Sequence, residues 1–219
     1  MGPGMLEYYA KRAPNYDGKL DFPEWQRDRA KARPILESVS LGRHVYEVAC
    51  GTGEYTQLAS LAAKEIHASD ANQRMLEIAR GKAYSCPVDF QLRDAYASGS
   101  PTCNAGLAAF WLSHVEKQSM ARFLDSFHSW LVPGSPVFMI DELDHSKRGI
   151  PASRFDEFGN RFETRTLESG ENFEITKNFY SEADCAKLLE RRGSNLEFRA
   201  FENLWVATYR TLEPRPHGV

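Results

Sequence analysis

Val45-Tyr46-Glu47-Val48-Ala49-Cys50-Gly51-Thr52-Gly53-Glu54 is the stretch that decides the fold. It reads as a short buried strand, an acidic residue near the strand's C-terminal end, and a glycine turn that opens a helix. Glycine lacks the Cβ that would hold a ligand away, so such a turn presents bare backbone N–H groups and a helix N-terminus. Asp70 closes the next apolar run, Glu65-Ile66-His67-Ala68-Ser69. It stands about 20 positions after the turn, where a carboxylate suits both hydroxyls of a ribose. Together these features predict a nucleoside site on a doubly wound sheet.

The dinucleotide fingerprint G-x-G-x-x-G/A needs a third small residue for close packing of helix on strand. Thr56 stands there instead, and Glu47 and Glu54 flank the turn. Two carboxylates would repel a pyrophosphate and suit a ligand with a cationic near end. S-adenosylmethionine (SAM) carries an ammonium and a sulfonium there, and no phosphate. The chain resembles the class I SAM-dependent methyltransferases of the small-molecule type over residues 5–210. Glu47, Gly51 and Gly53 match that family's first motif, and Ala49 departs from it where a glycine is frequent.

The resemblance implies SAM as cofactor, S-adenosylhomocysteine as product, and a role for each matching residue. Glu47 would approach the methionine amino group and Asp70 the ribose, with Ala71 beside it in the cofactor site. Asp94 and Ala95 would lie near the adenine amino group, and Met75 would pack on the adenine. Tyr16 would reach the methionine carboxylate from the N-terminal arm, and Phe110 would line the cofactor site.

Composition bounds the alternatives. The chain has 219 residues, 42% of them hydrophobic, and a net charge of −3, which suits a single α/β domain. No Lys/Arg cluster marks a nucleic-acid footprint, so nucleic acid is not expected as a partner. No apolar run approaches the roughly 20 residues of a membrane span and no signal peptide is visible. With four scattered cysteines and no C-x-x-C pair, neither a metal site nor a disulfide framework is expected. The expectation is a cytoplasmic monomer or homodimer acting on a small molecule.

Periodicity predicts a Rossmann-like, mostly parallel seven-stranded sheet with helices on both faces. Residues 1–22 read as an arm or lid, too polar and irregular around Tyr8, Tyr9, Arg12 and Tyr16 for a core element; 23–210 form the domain and 211–219 a tail. A helix is predicted over 23–40, capped through Asp21-Phe22-Pro23-Glu24. Strands are predicted near 44–49, 65–69, 87–92, 104–110 and 136–141, and helices near 54–63, 72–83 and 116–131. A β-hairpin of 161–167 and 172–177 is inserted after the fifth strand. A helix from Ser181 to Arg192 and two strands within 195–210 close the domain.

Open α/β sheets bind ligands beyond the C-terminal ends of their strands. Tyr9, Trp111, His114 and Asp141 or Glu142 are therefore the acceptor-site candidates. An imidazole with a pKa near 6.5 at His114 could take a proton from a hydroxyl or ring N–H acceptor. Ser113-His114-Val115-Glu116 also reads as a capping box, which would put His114 in a first helical turn. The favoured activity is methylation of a small metabolite on oxygen or nitrogen. A protein or RNA acceptor, or nucleotide binding without methyl transfer, are the alternatives.

Overall fold

The computed structural model describes residues 3–17, 23–144 and 150–212. Its main sheet has the order β3-β2-β1-β4-β5-β10-β9. Strands β1 (His44–Val48), β2 (Glu65–Asp70), β3 (Val88–Leu92), β4 (Ala105–Ala109) and β5 (Pro136–Glu142) are mutually parallel. Strand β10 (Leu204–Thr211) runs antiparallel between β5 and the edge strand β9 (Gly193–Ala200). The chain order reverses between β1 and β4, and that switch point is where this architecture opens a crevice.

Alternation along the strands sorts two cores. Val45, Ile66, Leu107, Phe138 and Ile140 point to one face, under α2 (Pro23–Ser40), α3 (Glu54–Ser60) and α4 (Gln73–Arg80). Tyr46, Val48, Val137 and Met139 point to the other, under α5 (Met120–His128) and α6 (Glu182–Leu189). On α5, Met120, Phe123, Leu124 and Phe127 form a buried stripe at helical spacing. The helix is shorter than its periodicity suggests, because two 3₁₀ turns, 112–114 and 117–119, occupy the approach to it. Helix α2 begins at Pro23 as read, while the cap proposed at Asp21 and Phe22 lies outside the described residues.

The inserted hairpin is present as β7 (Arg161–Thr166) and β8 (Asn172–Thr176), turning at Gly170 with a φ of 85°. A further short strand, β6 (Arg154–Phe155), makes it a three-stranded antiparallel sheet. Thr211 ends β10, so that residue of the expected tail belongs to the sheet.

The N-terminal arm is a correction. Residues Pro3–Arg12 form a helix, α1, where the sequence reads as irregular. Its apolar stripe is narrow: Met5 and Tyr8 are buried against Ile175 of β8, while Glu7 and Lys11 pair one turn apart on the outside. The partner for that stripe lies more than 150 positions away, so no local pattern reveals it.

Candidate active site

Strand β1 delivers Glu47 and the glycine turn to the switch point. Glu47 sits behind the turn at 1% exposure and accepts a 2.6 Å hydrogen bond from Thr56 Oγ1. The residue that spoils the dinucleotide fingerprint thus holds the acidic group in place. Burial pushes the Glu47 carboxyl up to about 8, only partly countered by the Thr56 hydroxyl. Glu54 behaves otherwise than the sequence suggests: its carboxylate is paired with Arg29 of α2 and so adds little negative field at the turn.

Gly51 has a φ of 57° and open space where a Cβ would stand, and Gly53 has a φ of 81° with Ala79 Cβ only 3.1 Å from that point. The first glycine leaves room for a ligand; the second lets the helix pack. Two non-glycine residues beside the cavity share the left-handed region, Ala49 at 52° and Phe110 at 53°. They end the adjacent strands β1 and β4, and such conformations cost on the order of 1–3 kcal/mol each. The strain is concentrated where the two strands open toward the ligand.

Asp70 Oδ2 accepts from Gly51 N at 2.9 Å and Oδ1 from Asn72 N at 2.8 Å. Each oxygen keeps a lone pair for a further donor such as a ribose hydroxyl. Burial raises the Asp70 pKa to about 6, with the two backbone donors acting against it.

Eight of the predicted residues line one cavity of about 440 Å³: Tyr9, Tyr16, Gly51, Asp70, Met75, Phe110, Trp111 and His114. Ala71, Asp94 and Ala95 border an adjoining cleft beside Asp70 and Trp111. Glu47 and Gly53 lie one layer beneath. Open space at Gly51, acceptor capacity left on Asp70 and a buried carboxyl behind the turn fit the diol and ammonium of SAM. When bound, SAM supplies an electrophilic methyl group.

Asp141 is a correction. At 1% exposure it lines none of these spaces, because its carboxylate is used internally by Ser113 N, Glu142 N and Lys177 Nζ at 2.9, 2.8 and 3.3 Å. Its neighbour Glu142 lines a second cavity.

His114 departs from both of its sequence readings. It ends the 3₁₀ turn Leu112–His114, which has no side-chain cap, so Ser113 and Glu116 form no capping box. Its Nδ1 lies 2.7 Å from the Thr176 carbonyl oxygen and its Nε2 lies 2.8 Å from the Tyr9 hydroxyl. A carbonyl only accepts, so Nδ1 carries the hydrogen and Nε2 accepts from Tyr9. Burial, helped by the Lys177 charge, lowers the His114 pKa to about 3. The imidazole is therefore neutral across the physiological range and never the half-protonated base expected from an unperturbed value.

The second cavity, about 490 Å³, shares Tyr9, Tyr16, Phe110 and His114 with the first. Its other walls include Arg12 of the arm, Arg165 of β7 and Lys177 just past β8. Arg165 and Lys177 were not foreseen. Each stands in an alternating polar strand that reads as solvent-facing, and only the docking of the hairpin on the sheet buries them to 8% and 2%.

Comparison with known proteins agrees with this geometry. A family described as "Methyltransferase domain" matches residues 45–134. No curated protein matches the chain. Among solved structures, DhpI in complex with SAH is 27% identical, with 97% of each chain covered and a TM-score of 0.80. DhpI in complex with SAM and HEP is also 27% identical, covering 94% of this chain and 96% of that one at the same TM-score. The Burkholderia thailandensis 1,6-didemethyltoxoflavin-N1-methyltransferase shares the fold at 14% identity, with 96% and 88% coverage and a TM-score of 0.65. The motif at the glycine turn, the strand order and these likenesses agree on a SAM-dependent methyltransferase fold, with a methyltransferase domain matched over residues 45–134.

Proposed function

We propose that the chain methylates a small acceptor bearing an anionic group, at an oxygen or nitrogen atom held beside His114. The observation that carries this reading is the charge around the second cavity. Arg12, Arg165 and Lys177 line it together with a single carboxylate, Glu142. Lys177 is taken up by Asp141 and Glu142, and Glu163 is shared by Arg161 and Arg165. Among the described residues Arg12 has no ion pair; it donates to the Tyr8 hydroxyl at 3.0 Å and lies over the Tyr8 and Tyr16 rings. Arg165 Nε is buried and has no hydrogen-bond partner among the described residues, although the same guanidinium pairs with Glu163 through Nη2. An anion on the acceptor would pair with Arg12 and give the Arg165 Nε–H the acceptor it lacks among the described residues.

The same residues organise the acceptor atom. A hydroxyl entering beside His114 can replace the Tyr9 O–H as the donor to Nε2. As that oxygen gains positive charge on alkylation, its proton becomes far more acidic than an imidazolium of pKa about 3. A weak, neutral base suffices to receive it late in the reaction, and the anion's own charge would raise the basicity of His114. Helix α1 and the β7–β8 hairpin roof the site: Asn72 Nδ2 donates to the Leu6 carbonyl at 3.0 Å, and Thr52 Oγ1 donates to Asp17 Oδ1 at 2.5 Å. That cover favours a small molecule over a protein or RNA segment. DhpI, the relative of similar extent, has been crystallised with a second ligand, HEP, beside SAM.

The test is an acceptor panel with SAH formation as readout. It pairs hydroxylated and aminated carboxylates, sulfonates, phosphates and phosphonates with neutral and cationic isosteres. The anionic members should be turned over, and Arg12→Leu should raise their KM by about 10- to 100-fold, the worth of a charged hydrogen bond, while SAM affinity holds. Equal turnover of neutral isosteres, or an unchanged KM in the variant, would reject the anionic acceptor.

A further inference from the structure

We propose that His44, Glu65 and His67 form a site for a divalent transition-metal ion of the zinc or nickel kind, remote from the methyl-transfer cavity. The parallel register of β1 on β2 sets His44 opposite Glu65, and Glu65 and His67 are two apart on β2, so all three share one face of the sheet. His44 Nδ1 is 3.1 Å from Glu65 Oε2, and His67 Nε2 is 3.8 Å from Glu65 Oε1. One ligand atom from each residue lies within 4.8 Å of the others. Bonds of about 2.0–2.2 Å to a tetrahedral ion place ligand atoms roughly 3.3–3.5 Å apart. From separations within 4.8 Å, the ligand atoms need to close by at most about 1.5 Å to reach that spacing.

A second feature distinguishes this group from an ordinary row of surface charges. The register of β2 on β3 puts Asp89 opposite His67, and Asp89 Oδ2 lies 3.8 Å from His67 Nδ1. The carboxylate thus stands on the far side of the ring from the ligand atom, the arrangement that fixes tautomer and orientation in carboxylate–histidine–metal sites. Two imidazoles and one carboxylate suit zinc, nickel or copper better than calcium or magnesium, and leave a position for water. All three side chains are about one-third exposed, so an ion can enter. The site lies at the N-terminal ends of β1 and β2, and the glycine turn at the opposite end of β1. The ion would clamp two strands and take no part in the chemistry.

The full-length chain, stripped with a chelator, would be titrated with ZnCl₂ by calorimetry and by thermal melting. One ion per chain with micromolar or tighter affinity and a higher melting temperature is expected. His67→Ala and His44→Ala should each abolish the binding, and Asp89→Asn should weaken it by about 10- to 100-fold. Circular dichroism of the zinc-free variants checks that they fold, and Glu65→Gln gives a third, nearly isosteric removal of a ligand. Absence of stoichiometric binding, or binding that survives His67→Ala and Glu65→Gln, would overturn the proposal.

Discussion

Replacing Glu47 by Gln should remove most of the pH dependence of SAM binding near neutrality. The Glu47 carboxyl is held at about 8 by burial, so at pH 7 it is about nine-tenths protonated in the free protein. An ammonium brought up to it favours the carboxylate, and the proton must leave on binding. Ionising the group at pH 7 costs about 1.4 kcal/mol, and the cost falls by the same amount for each pH unit gained. SAM affinity should therefore rise about tenfold from pH 6 to pH 7, with about 0.9 proton released at pH 7. Calorimetry in buffers of different ionisation enthalpy counts that proton directly. Asp70, at about 6, contributes equally in parent and variant, so the difference between them isolates Glu47. The stability of the free protein follows the opposite sign. Between about 4.5 and 8 the unfolded chain has released a proton that the folded chain keeps, so stability falls as pH rises through that window. Equal proton release by parent and Glu47→Gln would refute the placement of the ammonium beside this carboxyl.

Other outcomes follow from the same geometry. Asp70→Ala removes the acceptor for the ribose and should weaken SAM binding by about 1–3 kcal/mol, and Gly51→Val should abolish binding by filling the open space at the turn and disfavouring its φ of 57°; a parent-like dissociation constant for both would sink the cofactor geometry. His114→Ala should lower turnover by roughly 100-fold with SAM affinity held within about twofold, and parent turnover should show no inflection near pH 6.5 assignable to this ring. An inflection there that vanishes in the variant would mean the imidazole is more exposed than its two hydrogen bonds indicate. Residues 3–17 and the 161–177 hairpin should gain hydrogen-exchange protection when S-adenosylhomocysteine binds; equal exchange in both states would remove their role as a cover.

The alternation of strands and helices, the glycine turn and the carboxylates at Glu47, Asp70 and Asp94 were legible in the sequence because each depends on neighbours within about 20 positions. Period-2 and period-3.6 patterns report burial locally, and a positive φ favours glycine through local sterics alone. Even Ala49, the one departure from the motif, is intelligible from the backbone angle it must adopt. Charged residues buried by docking carry no such mark. Arg165 between Thr164 and Thr166, and Lys177 between Thr176 and Asn178, read as exposed side chains, and Met5 and Tyr8 look like an idle stripe until Ile175 arrives. The properties of His114 were decided the same way, by Tyr9 from one side and the Thr176 carbonyl from the other. The sequence alone determined the sheet and the cofactor, since local steric and hydrophobic rules specify them. Only the tertiary structure decided the second cavity and its electrostatics, because desolvation and charge pairing depend on contacts between segments far apart in the chain.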